Sequence, residues 1–166
     1  MYNIGDAVFH PTSGAGIITK LERMPEIKKG SRFYRIRMLQ KNNTVLRIPV
    51  SRAEELGLRP ALAQEEVGQI LDILSAQAEE LPQVHTQRYK ECQARLDTGD
   101  TRAIAALIRD LSWQQIVAGK LNAPGQRIFK RAKRLLSGEL AVTQETDVQD
   151  AEEQIRDALK RTTQMV

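Results

Sequence analysis

The residues best placed to do chemistry are four cations in a helical repeat. Arg127, Lys130, Arg131 and Arg134 stand at i, i+3, i+4 and i+7, so a helix puts them in one narrow sector. No glutamate is interleaved among them, and like charges at this spacing repel one another. A phosphate backbone would remove that repulsion and release counterions. A solvated charged face is the alternative, but the stripe favours a nucleic-acid contact.

A second candidate anion site lies at the start of a predicted helix, in the segment His85 to Lys90. The N–H groups and the dipole of a first helical turn attract anions. We expect Thr86 to be the N-cap and Arg88 to meet a phosphate, whereas Lys90 need not share that face. His85 could stack on a base edge or enter a minor groove. The alternative for His85 is an exposed polar residue that precedes the helix.

A third candidate is an extended stretch, Thr44 to Val50, near the end of the first sixty residues. Side chains alternate along a strand, so one set faces a small core and the other faces outward. Proline has no N–H for a neighbouring strand, which places Pro49 at an edge or a strand end. The sequence therefore predicts an exposed edge that meets another protein. The inward set is Leu46, Ile48 and Val50, and the outward set is Val45, Arg47 and Pro49.

Residues for catalysis or metal binding are scarce. The chain has two histidines and one cysteine, and it lacks a Walker loop, a dinucleotide fingerprint and a Ser, His and acid constellation. Gly14 to Gly16 precede a strand and predict a hairpin turn. Helical spacing predicts that Cys92 is a small buried residue and that Trp113 packs between helices. We therefore expect a binding protein with no catalytic residues, metal or cofactor.

Charge is distributed unevenly along the 166 residues. The net charge is +4, but residues 1–58 carry ten Lys or Arg against five Asp or Glu, and residues 88–134 carry eleven against four. Two basic regions indicate two surfaces for polyanions or acidic partners.

The 41% hydrophobic and 28% charged content is typical of a soluble protein. With no apolar run as long as a membrane span and no signal peptide, we expect a cytoplasmic protein.

Periodicity predicts an α+β chain of two domains. Residues 1–59 show short β segments separated by turn residues, which predicts a small antiparallel β-barrel of the SH3 or Tudor type. Residues 60–166 predict an all-α bundle. The expected strands are Asp6 to His10, Gly16 to Leu21, Phe33 to Leu39 and Thr44 to Val50, with turns at Pro11 to Gly14, Lys28 to Ser31 and Lys41 to Asn43.

Five helices are expected in the second domain. The first starts at Ala61 or Ala63 and ends near Ala76, and the second spans Thr86 to about Leu96. The third carries Ile104 to Leu111 and ends at Gly119, and the fourth has Pro124 in its first turn. The last starts at Thr146, which forms a capping box with Gln149, turns Val148, Ile155 and Leu159 inward, and frays from Thr162.

Several segments, in this order along nearly the whole chain, resemble the CarD/CdnL family of bacterial transcription regulators that bind RNA polymerase. They are Ile4 to Pro11 with Gly14 and Gly16, Arg47 to Val50, Glu55 to Arg59, Arg88 to Lys90, Leu96 with Gly99 and Asp100, Ile108 to Leu111, and Leu136 to Ala141.

The resemblance implies a Tudor-like domain that docks on the RNA polymerase β subunit and a helical domain that contacts promoter DNA at the upstream edge of the bubble. It also implies modulation of open-complex stability, largely sequence-independent DNA contacts through the backbone and minor groove, no membrane partner, and a nucleoid-associated monomer. Where the family typically has a tryptophan wedge, this chain has His85. Arg47 stands where the family has an arginine at the polymerase interface. Together with the patterns above, the expected polymerase-binding residues are Arg23, Val45, Arg47, Ile48 and Pro49, and the expected DNA-binding residues are His85, Thr86, Arg88, Lys90, Arg127, Lys130, Arg131 and Arg134.

Two other functions stay open on the sequence. A free-standing SH3-like module could bind RNA or the ribosome through the β domain, and an adaptor could use both domains for proteins only. The charge of Arg47 and of the stripe on residues 127–134 separates these functions, because each one assigns those cations a different partner.

Overall fold

The computed structural model describes residues 1–27, 30–40 and 44–163, and its first sixty residues form an antiparallel sheet. The five described strands are β1 (Ala7–His10), β2 (Gly14–Arg23), β3 (Arg32–Met38), β4 (Val45–Pro49) and β5 (Arg59–Pro60). Their spatial order is β4-β3-β2-β1-β5, so β4 and β5 are the edges of the sheet. The α+β fold with an antiparallel β domain is confirmed.

The β1–β2 hairpin forms where the glycines predict it. Gly14 pairs with His10 across the hairpin and has a φ of 88°, a conformation that side chains with a Cβ rarely adopt. A Cβ on Gly16 would lie 2.7 Å from Ile36 Cγ2, because β3 passes close to β2 at that point. The predicted turn at residues 28–31 lies partly outside the described residues, and the turn at 41–43 lies wholly outside them.

The helical region follows a short 3-10 turn at Gln64–Glu66. The third helix is capped at its N-terminus by Asp100, whose side chain accepts a hydrogen bond from the backbone N–H of Arg102. It ends at Gly119, which has a φ of 80°. Asn122 caps the next helix and Pro124 lies in its first turn, as predicted. The helices are α1 (Val67–Ser75), α2 (His85–Asp97), α3 (Thr101–Ala118), α4 (Ala123–Gln144) and α5 (Val148–Thr163).

Four predicted helix ends are wrong. Helix α1 begins at Val67, after the 3-10 turn, and not at Ala61 or Ala63. Helix α2 begins at His85 with Val84 at the N-cap, so Thr86 lies inside the first turn and caps nothing. Helix α5 begins at Val148, so Thr146 precedes it by two residues. Thr162 is buried and its hydroxyl donates to the carbonyl of Leu74 at 2.7 Å, which holds this turn against the end of α1. Residues 164–166, also predicted to fray, lie outside the described residues.

The sheet and the helices share one core. Phe9 and Ala15, from β1 and β2, belong to the buried cluster that α1 to α5 build, while a smaller cluster lies on the other side of the sheet. Helix α4 packs across β2. A Cβ on Gly14 would lie 3.5 Å from Leu135 Cδ2. Apolar side chains from both regions belong to this one cluster. The domain boundary between residues 59 and 60 stays a prediction.

An ion pair between the partly exposed Arg59 and the buried Glu139 also joins the two regions, and we call it the Arg59–Glu139 lock. Glu139 is 1% exposed and accepts from Arg59 Nη1 at 2.6 Å, from the Thr101 hydroxyl at 3.1 Å and from the backbone N–H of Leu62 at 2.9 Å. The guanidinium also lies 4.2 Å from the ring centre of Phe9. The lock therefore connects β5, α3 and α4 at one point.

None of the described helices is both long enough and apolar enough to span a bilayer.

Candidate protein-docking edge and nucleic-acid interface

Strand β4 is an edge strand that pairs with β3 on one side. Ile48 is 3% exposed, and Leu46 and Val50 pack against the same small cluster, which confirms the inward face. Arg47 on the outward face is exposed, and Pro49 ends the strand. An edge of this kind offers main-chain groups to an incoming strand.

One carboxylate orients the exposed cation of this edge. Glu22 on β2 accepts from Arg47 Nε at 3.0 Å and lies 3.9 Å from Arg35 Nε. Arg47 and Arg35 are directly opposite in the β3–β4 ladder, where like charges destabilise pairing. The hydrogen bond from Arg47 lowers the pKa of Glu22, with help from the charges of Arg47, Arg35 and Lys20. Glu22 thus offsets the repulsion and directs Arg47.

Arg23 lies in the same region. A surface depression of about 330 Å³ is lined by residues of the β2 end and by Arg47, so Arg23 and Arg47 border one concavity beside the sheet edge. Arg23 is exposed at the last position of β2, where it pairs in register with Arg32. The structure therefore brings Arg23 together with Arg47, whereas Val45 lies at the other end of β4 and Ile48 faces the small cluster.

The predicted cationic stripe lies on α4. Arg127, Lys130 and Arg134 are exposed, and Arg131 is partly buried because its guanidinium donates to the carbonyl of Thr12 in the β1–β2 turn at 3.3 Å. The stripe is thus anchored to the sheet at one of its four residues. Its flanks differ: Arg127 and Arg131 border a groove towards α2, and Lys130 and Arg134 border a groove towards α5.

The start of α2 lies beside the start of α4. His85 is exposed, its Nδ1 lies 3.5 Å from Asn122 Nδ2, and its ring stacks on Tyr89 with centroids 6.3 Å apart. Tyr89 in turn packs at Gly125, where a Cβ would lie 3.0 Å from the tyrosine ring. His85 therefore lies in the first turn of α2 and beside the N-cap of α4, where both helix dipoles are positive.

Arg88 corrects the sequence prediction. Its side chain is 8% exposed, and its guanidinium donates to the carbonyls of Pro82 at 2.7 Å and Gln83 at 3.1 Å. It holds the loop that leads into α2 and does not face a phosphate. Thr86 and Lys90 are exposed, but Lys90 is five positions after His85 and lies on another side of the helix.

Sequence reasoning missed Glu22, Tyr89 and Asn122. Asn122 carries a local signal, since an asparagine two residues before Pro124 is a typical N-cap. Tyr89 stands four residues after His85, so a helix stacks the two. Glu22 carries no signal, because its partner Arg47 is 25 positions away and the sheet register decides their contact.

Structural roles are predicted for Cys92 and Trp113. Cys92 is buried, as predicted, and burial raises the pKa of its thiol. Trp113 is half-buried on α3, three and four positions before the exposed Ile116 and Val117, and its packing between helices stays a prediction. Within residues 1–27, 30–40 and 44–163, no three His, Cys, Asp or Glu side chains gather as a metal site.

Comparison with known proteins identifies the family. A model described as "CarD, C-terminal domain" matches residues 69–156, and one described as "CarD-like/TRCF RID domain" matches residues 2–62. The chain belongs to the CarD family. The Bacillus subtilis (strain 168) protein named "Putative transcription factor YdeB" is 30% identical to this CarD-like chain over 142 residues, which are 86% of this chain and 92% of that protein.

The CarD-like family consists of transcription regulators associated with RNA polymerase, and this chain is a member. The match to residues 2–62 covers the whole sheet with β4, and the match to residues 69–156 covers α2, α3 and α4. The two candidate surfaces therefore lie in different matched segments, one in each.

Proposed function

We propose that this CarD-like protein docks on the β subunit of RNA polymerase through β4 and contacts promoter DNA through α4 and the start of α2. Through both contacts it modulates the stability of the open complex. The observation that carries this proposal is the pairing, on one chain, of an exposed strand edge with a basic helix that the shared core holds together.

At the docking edge, an extended segment of the polymerase subunit would add to β4, and main-chain hydrogen bonds would supply the affinity. Arg47 and Arg23 would add specificity, since both border the same depression. Glu22 keeps the Arg47 guanidinium in one place before binding, which reduces the side-chain entropy lost on docking.

At the DNA surface, the exposed cations Arg127, Lys130 and Arg134 would bind phosphates without reading sequence. His85 stands between two helix N-termini and would approach the minor groove there, with the exposed Thr86 and Lys90 as further polar contacts. Arg131 would contribute charge while it stays tied to the β1–β2 turn.

Charge reversal at the edge tests the docking half. In the full chain, Arg47→Glu should abolish binding to purified RNA polymerase and leave the weak affinity for duplex DNA intact. The matched control is Arg161→Glu, an exposed cation of α5, which should bind polymerase as the wild type does. If Arg47→Glu weakens DNA or RNA binding and spares polymerase binding, the β domain is a nucleic-acid module.

Salt dependence tests the DNA half. Replacing Arg127, Lys130 and Arg134 together by Ala should reduce the slope of log K against log salt by about 0.9 per lost phosphate contact, measured with duplex DNA by fluorescence anisotropy. Polymerase binding should not change. An unaltered slope would show that these cations face a protein, as in an adaptor.

A further inference from the structure

The groove between α4 and α5 is a separate feature of the helical region, which we call the α4–α5 groove. It encloses about 380 Å³ on the side of α4 that faces away from α2. Phe129, Ile155 and Leu159 line its floor. Ile155 is buried, and the other two are half-buried and pack against the main core. Phe129 and Leu159 therefore leave part of this apolar floor open to solvent.

The rim of the α4–α5 groove is strongly cationic. Lys130, Lys133 and Arg134 line it from α4, and Arg156 lines it from α5, whereas Glu152 is the carboxylate that lines it. None of the four cations forms an ion pair with a residue in the described part of the chain. With Glu152 counted, the rim carries a net charge of +3.

Lys133 shows what this environment does to a cation. Its Nζ lies 4.1 Å from the ring centre of Phe129, so the charge sits over the aromatic part of the floor. Burial lowers the pKa of Lys133, and the neighbouring charge of Arg156 lowers it further, while Glu152 acts in the opposite direction. An added anion would relieve this unfavourable environment.

We propose that the α4–α5 groove binds a short acidic, amphipathic segment of a partner protein. Aliphatic side chains of that segment cover Phe129, Ile155 and Leu159, and its carboxylates pair with Lys133 and Arg156. From Phe129 to Ser137 the α4 wall runs about 12 Å, which matches two turns of helix. A helix in a groove is a common mode of peptide recognition.

Duplex DNA fits this groove less well than an acidic peptide does. A phosphate backbone supplies anions but no aliphatic groups, so it would leave the apolar floor wet. Lys133 and Arg156 lie on the α5 side, away from His85, Arg127 and Arg131 on the α2 side. Lys130 and Arg134 border both surfaces, but Lys133 and Arg156, which would pair with the peptide, are not among the cations proposed to bind DNA.

The test uses the full chain and a fluorescent synthetic peptide in which glutamate and leucine follow an amphipathic helical repeat. Wild-type protein should bind it, and the double variant Lys133→Gln with Arg156→Gln should bind about fivefold more weakly, as expected for two lost surface ion pairs. The control double variant Lys90→Gln with Arg127→Gln removes the same charge from the other side and should bind the peptide like the wild type.

Two further measurements keep the outcome specific. A peptide with serine in place of leucine should bind more weakly, because the apolar floor then stays uncovered. Amide shifts of the wild-type protein, followed by NMR during titration, should change along residues 129–137 and 152–159 and not at the start of α2. These shifts need no variant, so they test the site even if a substitution disturbs folding.

The proposal is wrong if the peptide fails to bind the wild type, if both double variants weaken peptide binding equally, or if the serine peptide binds as well as the leucine peptide. It is also wrong if Lys133→Gln with Arg156→Gln lowers affinity for duplex DNA as much as the control pair does, since the groove would then be a DNA surface. None of these outcomes depends on polymerase docking.

Discussion

At the scale of single residues, Glu22 decides where the exposed arginine of β4 points. The carboxylate lies between Arg47 and Arg35, and without it two cations would face each other across the β3–β4 ladder. Because the pair is exposed to water, it orients the side chain and contributes little to stability. Its effect is on the geometry of the docking edge.

The pKa of Glu22 should report this contact directly. In the wild type it should lie below the usual value for glutamate, and in Arg47→Ala it should rise, because the largest cause of the shift is the hydrogen bond from Arg47. The pair stabilises the fold above the ordinary pKa of glutamate, and that contribution is lost as pH falls through the lowered value. Carboxyl 13C NMR across the acid range measures both values. An unchanged titration in Arg47→Ala would place Arg47 away from Glu22 in solution.

At the scale of secondary-structure elements, the Arg59–Glu139 lock sets how β5 meets α4. Glu139 collects donors from Arg59, Leu62 and Thr101, so three segments converge on one buried carboxylate. A buried ion pair contributes little net stability relative to apolar residues, but removal of one partner leaves the other uncompensated. The lock therefore specifies the arrangement of the two elements.

Removing the carboxylate of the lock should be costly. Glu139→Ala should lower the free energy of unfolding by about 3 kcal/mol, because Arg59 then loses its buried partner. Glu153→Ala, which removes an exposed carboxylate from α5, is the control and should change stability by no more than about 0.5 kcal/mol. Urea unfolding followed by circular dichroism measures both. Equal stabilities of the two variants would show that the lock does not hold the fold.

At the scale of the whole molecule, the two matched family segments are parts of one packed unit. Phe9 and Ala15 leave the sheet to join the helical core, and Arg131 reaches back to the β1–β2 turn. Strand β4 is connected to α4 through the β3 and β2 ladders, since α4 packs across β2. This arrangement would suit the two contacts proposed above, one with polymerase and one with DNA.

A fragment of residues 1–62 should be less stable than the same region in the full chain. Separation uncovers Phe9, whose burial is worth about 1.5–3 kcal/mol, and removes the partner of Arg59. We expect the fragment to unfold at lower urea and to bind a hydrophobic dye that the full chain does not bind. An equal unfolding midpoint for the β region in both proteins would contradict the shared core. Docking experiments accordingly need the full chain.

The sequence by itself determined the elements and their exposed chemistry. Alternation with period two predicts the inward and outward faces of β4, and spacing near 3.6 predicts the stripe on α4. Proline marked the edge strand, and glycine marked the β1–β2 turn and the end of α3. These features depend on neighbours in the chain, which the sequence states directly.

Only the tertiary structure decided which of these residues are free. Arg88 carries a guanidinium that could bind a phosphate, yet in the fold it donates hydrogen bonds to the carbonyls of Pro82 and Gln83 in the preceding loop. Arg59 and Glu139 form an ion pair although they are 80 positions apart in the sequence. Two cations of the α4 stripe border the groove towards α2, and the other two border the groove towards α5. Local periodicity carries no information about such partners, because long-range packing of the helices on the sheet brings them together.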